Sequence, residues 1–194
     1  VLKISSVNDL QVGDVGFSII PGGVGGFVSL GQGLIDVANI VRGRAVEGAW
    51  FTHTYIVVAA PGDGTAQIVE AMPSGARAVW METGAARIGP GYGWARLELS
   101  DLQRALIAQD ATFRVGTPYS FLDYLSIAAL HLGLPRRWLA GRVTSSAHLI
   151  CSQLVDTAYL MAGVHLFDDG RLPQDVTPGA LFQRLGASGE VVWW

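Results

Sequence analysis

Phe51-Thr52-His53-Thr54-Tyr55-Ile56-Val57-Val58-Ala59-Ala60, then Pro61-Gly62-Asp63-Gly64, then Ala66-Gln67-Ile68-Val69-Glu70-Ala71-Met72 is the stretch from which a fold can be read. Two runs rich in β-branched residues flank a turn of proline, glycine and aspartate, which is the pattern of a β-hairpin. Pairing Ala59 with Ala66 across a loop of this length sets Tyr55 opposite Glu70, with His53 one diagonal step away on the same face. An imidazole and a carboxylate then become neighbours. A slip of one residue would send Glu70 to the other face, so the register is the testable part of the reading.

Downstream, Pro73-Ser74-Gly75 turns the chain into a strand over 76–82, and Trp94-Ala95-Arg96-Leu97-Glu98-Leu99 adds a further alternating strand over 94–99. Ser100-Asp101-Leu102-Gln103 has the spacing of a helix capping box, with Leu102, Leu106 and Phe113 as one apolar face up to Gly116. Gly116-Thr117-Pro118-Tyr119 ends that helix, and the spacing predicts another over 120–132. Thr177-Pro178 opens a helix over 179–185 with Gly186 as its exit, and residues 191–194 read as a last strand.

The only cysteine of the chain falls in Leu149-Ile150-Cys151-Ser152-Gln153-Leu154-Val155-Asp156-Thr157-Ala158-Tyr159. Leu154, Val155, Ala158 and Met161 recur at helical steps before Gly163, so Cys151 stands in the first turn of an amphipathic helix. Unpaired N–H groups and the positive end of the helix dipole favour a thiolate there and can hold an oxyanion. A lone cysteine is otherwise a small buried hydrophobe.

Upstream, residues 12–20 read as a short strand entered by a turn. No residue from Val15 to Ile35 is charged, a length that could span a bilayer, but seven glycines, Pro21 and Gln32 argue against a membrane span. A glycine-rich loop and a helix over 34–41 are expected instead, as an insertion over 21–45 that borders a cleft. That loop lacks the Gly-Lys-Ser/Thr ending of a phosphate-binding loop.

At 194 residues and 20.6 kDa the chain suits a single domain over 1–194. Half of its residues are hydrophobic and the mean hydropathy is +0.36, as a compact core requires. The net charge of −3 offers no basic field, so nucleic acid is not expected as a partner. One cysteine excludes an internal disulfide framework and any multi-thiolate zinc site, and leaves the redox compartment open. His148, Cys151 and His165 make a poor metal set, because His165 follows the helix end and no acidic ligand is clearly placed. The start at Val1, without Met, suggests a processed or excised segment of a larger protein, with no recognisable signal peptide and no compartment assigned.

The order Gly-Asp-Val, Thr-His-Thr-Tyr-Ile-Val-Val, Ile-Val-Glu-Ala, Gly-Thr-Pro-Tyr-Ser-Phe and Ile-Cys-Ser-Gln-Leu-Val resembles the circularly permuted NlpC/P60 cysteine peptidases of the papain-like superfamily, over residues 12–185. In that family the histidine strand precedes the cysteine helix. The resemblance implies an α+β, papain-like fold with a central antiparallel sheet or small barrel packed by helices. It implies Cys151 as nucleophile, His53 as general base, Glu70 as the group that orients the imidazole and Tyr119 as a tyrosine bordering the site; beside it, the residues themselves offer the N–H of Ser152 for the oxyanion and Tyr55 as a substrate-binding candidate. Gln153 stands where the family often has glutamate, which bears on subfamily and substrate. The implied activity is cofactor-free amide hydrolysis, most often of peptidoglycan-type peptides in a bacterial or phage setting. A lipid-directed acyl hydrolase or acyltransferase, and a non-catalytic binding or assembly module of a phage or envelope protein, are the alternatives.

Overall fold

The computed structural model of the protein describes residues 4–20, 33, 36, 40, 51–82, 87, 91–119, 150–187 and 191–193. They form strands β1 (Val15–Ser18), β2 (His53–Ala59), β3 (Thr65–Met72), β4 (Gly75–Glu82), β5 (Tyr92–Ala95) and β6 (Val191–Trp193), and helices α1 (Asp101–Phe113), α2 (Cys151–Met161) and α3 (Pro178–Ala187). Among the described residues the strands make one antiparallel sheet in the order β4-β3-β2-β1-β5-β6, with no β4–β6 pairing to close it into a barrel. The architecture is α+β.

Alternation along the strands gives the sheet two buried faces. Val15, Phe17, Ile56, Val69 and Ala71 pack under α1 and α2 with Leu154, Val155, Ala158 and Ile107. Tyr55, Val57, Ile68, Met81 and Trp94 pack on the opposite side with Ile4, Val7 and Leu10 from the N-terminal segment. Gly16 is required between them. A Cβ there would lie 1.9 Å from Cε2 of Tyr55, so only glycine lets the ring cross β1.

The β2–β3 register puts Tyr55 opposite Glu70, but Ala59 faces Gln67 and not Ala66. A bulge between Val57 and Ala59 takes up the extra residue next to the turn, which leaves the site end of the hairpin in its expected register. The first strand is shorter than 12–20, because Gly13 adopts a φ of +90° and Asp14 turns inward to Arg96. The expected strand over 94–99 is displaced to 92–95. Its neighbour β1 begins at Val15, which pairs with Ala95, so residues 96–99 have no strand beside them among the described residues.

In α1 the capping box is present, Ser100 Oγ accepting from the Gln103 N–H at 3.3 Å. Of the expected face Leu102, Leu106 and Phe113, only Leu106 packs against the core, and it is partly buried. Leu102 is 69% and Phe113 86% exposed, whereas Ile107 and Ala111 are buried. Arg104 donates to the Val12 carbonyl at 2.6 Å and turns the Ile107 side of the helix toward β2 and α2. The last helix runs on through Gly186 to Ala187, entered by Thr177, whose hydroxyl accepts from the Ala180 N–H at 3.0 Å. Gly33, Asp36 and Ile40 are helical, while the remainder of the expected 21–45 insertion and all of the 120–132 helix lie outside the described residues. No helix among the described residues is long and apolar enough to cross a membrane.

Candidate active site

Three elements deliver the central side chains. Cys151 is the first residue of α2, where the chain leaves extended Ile150 and no side chain caps the helix, so the first-turn N–H groups remain for other acceptors. His53 opens β2, and Glu70 lies near the end of β3. The β2–β3 pairing starts at Tyr55 and Glu70, and where the strands part the Thr54 N–H turns to the Cys151 sulfur, as does the Ser152 N–H. All three side chains are buried, at 4%, 2% and 0% exposure, Cys151 keeping the most contact with solvent.

His53 Nε2 lies 2.8 Å from Glu70 Oε2. That contact leaves Nδ1 for Cys151. Nδ1 makes no hydrogen bond among the described residues, yet the two groups are close enough to shift one another's ionisation. Burial pushes the thiol up, but His53 together with the Thr54 and Ser152 N–H groups outweighs it and holds Cys151 below its ordinary value. Burial likewise disfavours the imidazolium, and Cys151 and Glu70 overcome it, pushing His53 up to about 9. The pair is therefore poised as thiolate and imidazolium.

Glu70 is held from both sides. Its Oε1 accepts from Arg77 Nε at 3.0 Å, Arg77 Nη2 at 2.8 Å and Arg87 Nη2 at 3.1 Å. Its Oε2 accepts from Arg87 Nη1 at 2.6 Å besides His53. Burial raises the carboxyl, and these donors more than reverse it, so Glu70 stays ionised well below the usual carboxylate range. The Arg87 guanidinium also lies over the Tyr55 ring, 4.7 Å from its centre.

Of the residues expected around the reacting atoms, Ser152 is buried and its hydroxyl donates to the Val176 carbonyl at 2.6 Å. Its side chain is committed to structure, so only its backbone N–H can serve an oxyanion. Tyr55 is fully buried between Trp94 and Arg87, its hydroxyl without a hydrogen bond among the described residues. It supports the ring of His53, 5.8 Å away, and is enclosed too deeply to line a substrate groove. Tyr119 is half-buried against the main core, beyond a segment in which Thr117 pairs with Ala76 of β4. The Thr54 hydroxyl is a further buried polar atom without a partner among the described residues. His148 and His131 lie outside the described residues.

Sequence reading missed Arg77 and Arg87. Arg77 was accessible to it, because a two-residue turn at Pro73-Ser74 pairs Met72 with Gly75 and so Glu70 with Arg77. Arg87 belongs to no strand or helix, and only the folded chain brings it across to Glu70. The sequence matches no known protein-family model and no curated protein.

Proposed function

We propose that the protein is a cysteine hydrolase that cleaves amide bonds through a thioester. The observation that carries this is the convergence of a buried Cys151 at the start of α2 with His53, whose other nitrogen is bound to an ionised Glu70. His53 Nδ1 takes the thiol proton, and Sγ attacks the carbonyl carbon. The backbone N–H groups at the start of α2 stabilise the oxyanion, a contribution of about 3 kcal/mol for each such donor. Collapse breaks the C–N bond, and His53 returns its proton to the leaving amine. Water, deprotonated by the same imidazole, then releases the acid and the free thiol. Glu70 fixes the tautomer throughout.

The papain-like assignment and a peptidoglycan-type peptide substrate come from the motif order, and the sheet-and-helix arrangement around Cys151 and His53 is compatible with both. The test is alkylation of Cys151 by iodoacetamide between about pH 4 and 9, in the parent protein and in His53→Ala. A thiol reacting well below the free value of about 8.5, and losing that reactivity with His53, is expected. A thiol indifferent to His53 would remove the proposal.

A further inference from the structure

Glu70 cannot absorb the charge that surrounds it. A carboxylate offers about four lone-pair sites, yet five N–H bonds converge on this one, three at Oε1 and two at Oε2. Two guanidinium charges face one carboxylate charge, and neither arginine has another ion-pair partner among the described residues. The Cys151–His53 pair is neutral overall in either protonation arrangement. Among the described residues, one positive charge is therefore left over beside Glu70.

The surplus is accessible. Arg87 is 22% exposed, but Arg77 is 50% exposed. Arg77 is held by two bonds to Glu70 through Nε and Nη2, while Nη1 has no acceptor among the described residues. A guanidinium fixed on one edge and open on the other is preorganised for an oxyanion, with little side-chain entropy left to lose.

We propose that Arg77 is a specificity element that receives a carboxylate carried by the substrate of the Cys151 site. This rests on the reading of Cys151 as nucleophile and adds to it the charge class of the substrate. A singly charged carboxylate balances the surplus, whereas a phosphate dianion would place an extra negative charge beside Glu70. The planar carboxylate also matches the open edge of the guanidinium.

The test uses two alkylating probes of one thiol, iodoacetate and iodoacetamide, at near-neutral pH and low ionic strength. Their rate ratio cancels any change in thiolate fraction and reports the local field alone. Relative to N-acetylcysteinamide, the parent protein should favour iodoacetate, and Arg77→Gln should lower the ratio about threefold. Arg77→Lys should retain most of it, and added salt should erase it. An unchanged ratio in Arg77→Gln, with His53-dependent iodoacetamide reactivity intact, would overturn this inference and leave the hydrolase reading standing. A thiol that ignores His53 would bring down both. Stronger protection against iodoacetamide by diethyl phosphate than by acetate would overturn the carboxylate assignment.

Discussion

Glu70→Gln is nearly isosteric, and the geometry around the carboxylate dictates which way the amide turns. With its NH2 at the Oε1 position it meets Arg77 Nε, Arg77 Nη2 and Arg87 Nη2, all donors. With its NH2 at the Oε2 position it meets Arg87 Nη1 and His53 Nε2. The second conflict disappears if the imidazole proton moves to Nδ1, so this orientation keeps both Arg77 bonds and strands one N–H. At about 1 kcal/mol per hydrogen bond the difference is about 2 kcal/mol, roughly a thirtyfold preference. The consequence falls on Cys151, because an imidazole protonated at Nδ1 cannot take the thiol proton. A thiol with a pKa of about 8.5 or above is less than about 1% ionised at pH 6, so alkylation by iodoacetamide there should fall by about a hundredfold. Hydrolysis should fall further, since the imidazolium loses its counter-charge as well. The assay is the alkylation rate at pH 6, with near-UV circular dichroism to verify native packing. A rate within threefold of the parent protein in a natively packed variant would refute this account of Glu70.

Cys151→Ala should abolish hydrolysis while lowering stability only modestly, by about 1 kcal/mol for one buried sulfur, read as a small fall in the urea midpoint. The same variant should acquire a pH dependence. In the parent, the folded ion pair binds one proton between pH 6.5 and 9, and so does the unfolded chain with its thiol protonated and its imidazole neutral. Without the thiol, His53 loses one of the two groups that raise it and keeps the ion pair with Glu70, whose stability is full below the unfolded value of 6.5 and is lost as pH rises above it. Urea midpoints at pH 6 and pH 9 should therefore diverge in Cys151→Ala more than in the parent, and equal divergence would argue against the coupled pair. Gly16→Ala should cost about 1–3 kcal/mol or prevent folding, because the new Cβ falls 1.9 Å from a Tyr55 ring that is buried and has no room to move. Ser152→Ala should lose about 1 kcal/mol with the bond to the Val176 carbonyl but leave Cys151 alkylation close to the parent rate, since the backbone N–H and not the hydroxyl faces the sulfur.

What the sequence determined by itself was local in origin. The alternation on either side of Pro61-Gly62-Asp63-Gly64 makes a hairpin, Ser100 and Gln103 start a helix, and the steps after Cys151 place that residue in a first turn. Each of these depends on neighbours a few residues apart. The pairing of Tyr55 with Glu70 belongs with them, although the bulge beside Ala59 shows that the count from the turn reached the right register through an irregularity it did not foresee. Tertiary structure decided everything that depends on which surface meets which. Periodicity in α1 allows a face through Leu102 and Phe113 as readily as one through Ile107 and Ala111, and docking onto β2 and α2 selects the second. The strand expected over 94–99 lost its second half because β1 begins at Val15, beside Ala95. Hydroxyls that look available on paper are put out of reach by the fold, that of Ser152 by its bond to the Val176 carbonyl and that of Tyr55 by burial beneath Arg87. The charge balance of the site is non-local for the same reason: Arg87 stands 17 positions from Glu70, past the end of β4 and outside any strand or helix whose register could place it. A hydrogen bond between distant segments depends on the path of the whole chain, and no spacing rule encodes that path.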